Sequence, residues 1–326
     1  MSIRQPMYIY PDFITPFSCA MCGLCCRNEW QVTVDESSYW RNQNLFASLN
    51  KMNEFQQAFV PLAGQGGRGE YAYIAKRDKK CWFLDSNHCC TLQLTAGHDH
   101  LDLVCQTYPR YPVLTDRGWE VTLSFSCPAV LQLVTRLEPL QFIRSAACPL
   151  AFAEQAAVAE VFPRQQSSGS PLQYYFELEH HIIDILQFRS LPLGARLEFL
   201  AHAVSSVNTL AGRETLGSDL RRLLYSHYES LDRQAAGASG QETLNQQAVA
   251  GAVLAEHFLV NLVFKKVGYL YGLERMVKLL QEMWRTIETA CQNAHNQAEE
   301  LSYAQAAIIK LELQYSHNRQ ALLALR

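Results

Sequence analysis

The segment Cys19-Ala20-Met21-Cys22-Gly23-Leu24-Cys25-Cys26 holds the side chains best equipped for chemistry in this chain. A thiolate is a soft, anionic ligand, and two-residue spacers let successive sulfurs turn toward one metal or cluster. Gly23 supplies the backbone freedom that such a tight knuckle requires. Further thiols follow at Cys81, Cys89, Cys90, Cys105 and Cys127, the last within Ser126-Cys127-Pro128. Close cysteines followed by a distant Cys-Pro is also an arrangement of bacterial ferredoxin-type ligation. The expected ligand set is therefore Cys19, Cys22, Cys25, Cys26, Cys81, Cys90, Cys105 and Cys127. Cys148, Cys291 and one of the pair Cys89/Cys90 read instead as buried small hydrophobes. Neighbours such as Cys25 and Cys26 do not easily place both sulfurs on one tetrahedral ion, which predicts either two sites or one ligand plus a spare thiol. Spacing admits both zinc and iron–sulfur. Histidine is sparse near the motif, and the Cys-Pro, together with the resemblance described below, favours a [4Fe–4S] cluster, with zinc as the alternative.

Eleven cysteines in 326 residues, ten of them before residue 150, organise the chain. The first ten residues carry no apolar run of signal-peptide length, so a cytoplasmic setting is expected and the thiols point to metal ligation rather than disulfides. No stretch approaches the ~20 uninterrupted apolar residues of a membrane helix, and Ala248–Phe264 is interrupted by Glu256, His257 and Asn261. A net charge of −3 gives no support for nucleic-acid binding, which normally shows a basic surplus.

The elements that must position these residues differ between the two halves. The expected fold class is α+β, mainly helical: an irregular cysteine-rich metal-binding domain over residues 1–150, then an all-α domain over 151–326. In the first half short strands are expected at Gln31–Val34, Tyr71–Ala75 and Val121–Phe125. The glycine-rich run Gly64–Gly69 follows a helical pattern rather than a strand, so it reads as a surface loop and not as a dinucleotide or S-adenosylmethionine loop. Arg164–Pro171 reads as a polar linker and Ala235–Gln247 as a second loop. Helical periodicity is expected over Tyr174–Phe188, Leu197–Ala211, Leu216–Leu231, Ala248–Tyr271 and Arg275–Asn296, with a last stripe of Leu301, Ala304, Ile308, Leu311 and Tyr315. Each stripe reads as core.

Five ordered elements carry a likeness to a known family. They are Cys19–Cys26, Cys81-Trp82-Phe83-Leu84-Asp85, Cys90-Thr91-Leu92-Gln93, Cys105-Gln106-Thr107-Tyr108-Pro109-Arg110 and Leu123-Ser124-Phe125-Ser126-Cys127-Pro128. Together they resemble the flagellin lysine-N-methylases, which sit among the cysteine-cluster proteins described as zinc- or iron-chelating. The likeness continues at Ile185–Arg189 with Pro192, Arg196 and Leu197, and more faintly at Glu256–Lys266. Two departures stand out: the short, uncharged Ala20-Met21 spacer, and Gln106 where the family commonly has arginine. The resemblance implies methyl transfer from S-adenosylmethionine to flagellin lysines by a protein carrying an iron–sulfur cluster.

Such a reaction is a displacement at the sulfonium methyl and needs a neutral amine approaching in line. A lysine pKa of ~10.4 calls for a base or a desolvating pocket. Tyr108 and Arg110, beside Cys105, are the first catalytic candidates outside the ligand set, Arg110 as a carboxylate partner. Glu179-His180-His181 lie on a helix where neighbours point apart, and His98 and His100 read as a solvated loop. A non-enzymatic metal scaffold or sensor and an iron–sulfur redox protein are the competing classes.

Overall fold

Asp35 shows how locally this fold is set. Its carboxylate accepts the Ser38 N–H at 2.9 Å and the hydroxyls of Ser37 at 2.6 Å and Ser38 at 2.7 Å. That cap stops the strand Thr33–Asp35 and starts the helix Glu36–Ser48. The computed structural model describes residues 7–28, 30–63, 69–150, 157–166, 168–238 and 250–316, and these form two units. The class is α+β and mainly helical, with a helical C-terminal region.

The first unit spans residues 17–110. Strands Thr33–Asp35, Glu70–Ile74 and Phe59–Pro61 make an antiparallel sheet with Glu70–Ile74 in the middle. The Gly64–Gly69 run therefore joins two antiparallel strands; residues 64–68 lie outside the described ones. Tyr39, Phe46, Phe55, Phe59 and Phe83 interlock on this sheet, with Phe55 and Phe59 stacked 4.9 Å apart. Cys81, Cys90 and Cys105 pack against the same cluster, so the aromatic core is the base on which the thiols stand.

The second unit comprises residues 7–16, 111–150 and the chain from 157 onward. Its five-stranded sheet runs in the order Ala159–Val161, Arg110–Thr115, Gly118–Leu123, Tyr8–Pro11, Phe142–Ser145. Tyr8–Pro11 pairs parallel with Gly118–Leu123 and antiparallel with Phe142–Ser145. These pairings draw the first residues and 111–150 into the helical unit, so the units do not divide at residue 150 as composition suggests. Of the expected strands, Val121–Phe125 falls in this sheet and ends at Leu123.

The helices Tyr175–Gln187, Leu193–Asn208, Leu216–Ala238, Leu273–Cys291 and Gln297–Leu311 lie where periodicity predicts them, and their apolar stripes are buried. Within the expected 164–171 linker, Pro163–Gln165 forms a short 3-10 turn and Ser167 lies outside the described residues. The expected 235–247 loop is helical as far as Ala238; residues 239–249 lie outside the described ones. The helix expected over Ala248–Tyr271 is instead two, Ala250–Phe264 and Val267–Tyr271, broken where Lys266 takes a left-handed φ of 69°. Tertiary contacts explain the break. The Lys266 ammonium is fully buried, 2.7 Å from Glu120 and 2.6 Å from Glu179. Glu256, His257 and Asn261, which interrupt the apolar run, are buried with partners: Arg189 and Arg196, the Val134 carbonyl, and Thr122 with the Leu123 carbonyl.

Glu179, His180 and His181 diverge as expected. Glu179 joins the Lys266 network, His180 is exposed beside Asp184 at 3.8 Å, and His181 is buried with Nε2 3.0 Å from His227 Nδ1. Burial, with His227 and His180 adding to it, pushes His181 down to about 3. The folded protein thus keeps this imidazole neutral, while the unfolded chain protonates it below pH ~6.5. Its contribution to stability is full above ~6.5 and drains as pH falls from there toward 3. Between pH 7 and 5 urea unfolding should show His181→Gln losing roughly 1–2 kcal/mol less than the parent. Parallel pH profiles for the two proteins would contradict this assignment.

Candidate metal centre

Two loops of the 17–110 unit carry the thiols. The first is the Cys19–Cys26 knuckle, turned by left-handed backbone at Met21 (φ 51°) and Gly23 (φ 66°) and closed by the 3-10 turn Cys25–Arg27. The Cys26 N–H bonds the Gly23 carbonyl at 3.1 Å, and the Arg27 N–H bonds the Leu24 carbonyl at 3.0 Å. The second loop begins with the hairpin Lys76–Arg77/Lys80–Cys81, whose turn residues Asp78 and Lys79 both have positive φ. It continues through a turn organised by Asp85, whose Oδ1 accepts the N–H groups of Asn87 and Cys89, each at 2.8 Å. It ends as Cys90 opens the helix Thr91–Ala96, where the Thr91 N–H reaches the Phe83 carbonyl at 2.7 Å.

Gly23 is where the loops meet. A Cβ there would lie 3.1 Å from His88 Cβ, the His88 carbonyl oxygen and Leu84 Cδ1. Arg27 adds a hydrogen bond from Nη2 to His88 Nε2 at 2.8 Å. Gly23→Ala combines this crowding with a left-handed φ, a conformation that costs L-residues roughly 1–2 kcal/mol. It should separate the loops, lowering the melting temperature and the metal content on purification. Unchanged metal content in a folded Gly23→Ala protein would show that the knuckle need not seat on the Leu84–His88 turn.

Cys25 Sγ lies 3.9 Å from Cys26 Sγ, and Cys81 packs on the aromatic cluster of the same unit. With metal–sulfur bonds of ~2.3 Å, neighbouring sulfurs of a tetrahedral thiolate site stand ~3.8 Å apart. The 3-10 turn lets the two adjacent side chains converge to a separation that one edge of such a site would need.

Hydrogen bonding to Cys26 holds the Cys25 thiol down at about 7 and lowers Cys81 as well. Cys26 is raised, by Cys25 first and then by Cys81. Burial raises Cys90 and pushes Cys105 well up, Cys105 also feeling Asp102, Cys81 and Cys90. Cys81, Cys90 and Cys105 thus pack on one cluster, with Cys25 and Cys26 paired on the knuckle of the same unit. Two of them lean toward the thiolate that a metal requires. Among the described residues no three Cys, His, Asp or Glu groups already stand at mutual ligand distances. The donor chemistry nonetheless fits a thiophilic metal, since thiolates are soft, anionic ligands.

The other candidates are placed differently. On the same knuckle Cys19 is exposed, its sulfur accepting the Met21 N–H at 3.4 Å, and Cys22 is half-buried. Cys89 bonds the Asn87 carbonyl through sulfur at 3.7 Å. Cys127 is buried in the other unit at the start of the helix Pro128–Val134, and Cys148 is half-buried in that unit. Cys291 points its thiol to the Glu300 carbonyl at 3.5 Å. Tyr108 is half-buried against Trp30, ring centroids 5.1 Å apart, and Arg110 opens the strand Arg110–Thr115. His98 is exposed on a 3-10 turn. Sequence reasoning passed over Asp102, which is 1% exposed and raised to about 7 by burial first and then by Asp35, with Arg41 opposing. Its place three residues before Cys105 was the available signal.

Comparison with known proteins agrees on the metal. Residues 18–127 match the model of the CxxCxxCC family, described as a zinc- or iron-chelating domain. No curated protein and no solved structure matches the chain. A metal-chelating role for the thiol-bearing region thus stands on sequence similarity and on the convergence of its sulfurs. No described helix is long and apolar enough to cross a membrane.

Proposed function

We propose that this protein is an S-adenosylmethionine-dependent protein-lysine N-methyltransferase that acts on flagellin in the cytoplasm and carries a cysteine-ligated [4Fe–4S] centre. The observation that supports the reading is that Cys81, Cys90 and Cys105 pack on one core cluster while Cys25 and Cys26 pair on the knuckle, all within the motifs that resemble the flagellin lysine-N-methylases. A cluster, were it held by these thiols, would supply Lewis-acid chemistry. The rest of the chemistry belongs to side chains. The target lysine must lose its proton before its nitrogen can attack the sulfonium methyl. Tyr108 closes the short helix Leu103–Thr107 that bears Cys105, and its half-buried hydroxyl oxygen is assigned to accept a hydrogen bond from the amine and orient it, the lysine proton leaving to solvent. Arg110, two residues on, is assigned to the methionine carboxylate of the donor.

The test is anaerobic purification with iron, sulfide and zinc analysis, then incubation with flagellin and S-adenosylmethionine and mass spectrometry of flagellin lysines. The expected result is about four irons and four sulfides per chain and methylated lysines only when enzyme and donor are both present. Stoichiometric metal with no donor binding and no lysine methylation would overturn the enzyme and leave a metal scaffold.

A further inference from the structure

A concave pocket of about 410 Å³ opens in the helical unit, within the size range that small organic ligands fill. Three segments enclose it. They are the 3-10 turn Pro171–Tyr174 with Ser170 before it, the last residue of the helix Leu193–Asn208, and the joint Tyr271–Gly272 that leads into the helix Leu273–Cys291. Two glycines draw the first two segments together. The Gly212 N–H donates to the Gly169 carbonyl at 2.9 Å, and a Cβ on Gly169 would sit 3.2 Å from Gly212 Cα.

Pro171, Leu172, Tyr271 and Leu273 give the pocket an apolar wall, and its cations come from Arg275 and Lys278. Three residues apart on one helix, these two share a face. Neither forms an ion pair with a described residue, and Arg275 only reaches back through Nη1 to the Tyr271 carbonyl at 3.4 Å. The buried cations of this unit differ, since Arg196, Lys265 and Lys266 each meet a carboxylate. The acid on the wall, Glu274, is engaged by Asn208 Nδ2 at 2.8 Å. Two positive charges against one negative leave the lining at +1, in a chain whose net charge is −3. A concave surface of that sign concentrates anions, and a guanidinium beside an ammonium matches the oxygens of a carboxylate or phosphate.

We infer that this pocket binds a small organic anion, its carboxylate or phosphate held by Arg275 and Lys278 and its apolar body seated on Leu172, Tyr271 and Leu273. The inference stands apart from the methylase reading, because it uses neither the thiols nor a methyl donor.

Ligand-observed NMR titration of the full-length chain tests it, with phenyl phosphate, benzoate and benzyl alcohol as probes. An anion should bind saturably at one site, and the tighter of the two anions identifies the head group. Benzyl alcohol has the ring without the charge and should bind at least about tenfold more weakly. Lys278 is exposed, so Lys278→Gln should fold like the parent and weaken the anion about tenfold, as should Arg275→Gln. Arg285→Gln removes the same charge from an exposed position farther along the same helix and should leave binding unchanged. An equal loss in Arg285→Gln and Lys278→Gln overturns the inference, because binding then follows overall charge. Binding that survives Arg275→Gln combined with Lys278→Gln overturns it, as does the lack of saturable binding by either anion. Anion binding without lysine methylation leaves it intact and counts only against the methylase.

Discussion

Stripping the metal with a strong chelator should expose the backbone amides of residues 19–28 and 84–91 to rapid exchange while the helix Glu36–Ser48 stays protected. The knuckle has little to hold it besides the second loop, and the 84–91 turn between Phe83 and Cys90, which rest on the core, lies at that contact. Their backbone bonds are local turns, such as Cys26 to Gly23 and Asp85 to Cys89, and Cys19, Met21 and Leu24 are exposed. The helix instead rests on the Tyr39, Phe46 and Phe55 cluster, which needs no metal to stay buried. Structural zinc in small domains contributes an apparent ~10–16 kcal/mol, so its loss here should far exceed what the Gly23–His88 contact can replace. Cys25→Ser and Cys81→Ser, one from each loop, should each reduce metal on purification at least tenfold, roughly 1.4 kcal/mol or more. Hydrogen exchange read by mass spectrometry decides the matter. Equal protection of residues 19–28 with and without metal would mean that the knuckle is folded by its turns alone.

Lys266→Met should destabilise the helical unit by about 3–5 kcal/mol, the usual cost of removing one partner from a buried charge group. The Lys266 ammonium lies between Glu120 and Glu179, and all three are buried. Burial pushes both carboxyls up; at Glu120 the Lys266 and Arg117 charges more than reverse it, while at Glu179 they do not. Without Lys266 the two acids would share only Arg117, at 2.8 and 2.9 Å, whose guanidinium also covers the Phe176 ring at 3.7 Å. Against a typical total stability of ~5–15 kcal/mol, the variant would be near unfolding at room temperature. Lys266→Met together with Glu179→Gln should recover part of the loss, because one of the two opposed acids is then neutral. Urea titrations of the single and double variants measure both effects. A single variant within about 0.5 kcal/mol of the parent, as expected only of ordinary surface changes, would refute the assignment.

Much of the architecture is legible in the sequence because its causes are local. Apolar residues at steps of three and four place the helices Tyr175–Gln187, Leu193–Asn208 and Leu273–Cys291 within a few residues of their observed ends. The spacing of Cys19, Cys22, Cys25 and Cys26 around Gly23 announces a metal knuckle, since thiolate chemistry and a left-handed turn both belong to the segment itself. Long-range pairing is what the sequence does not display. Tyr8–Pro11 joins the sheet of the helical unit because its edges meet Gly118–Leu123 and Phe142–Ser145, more than a hundred residues away. Lys266 breaks a run that periodicity reads as one helix because two distant carboxylates draw its ammonium inward. The same holds at the centre itself. Eight cysteines could be named as candidates from their chemistry, but only the fold packs Cys81, Cys90 and Cys105 on one cluster, pairs Cys25 with Cys26 and assigns Cys127 to another unit. Ligand type is a property of a side chain, whereas a coordination site is a property of distances between segments that only tertiary packing sets.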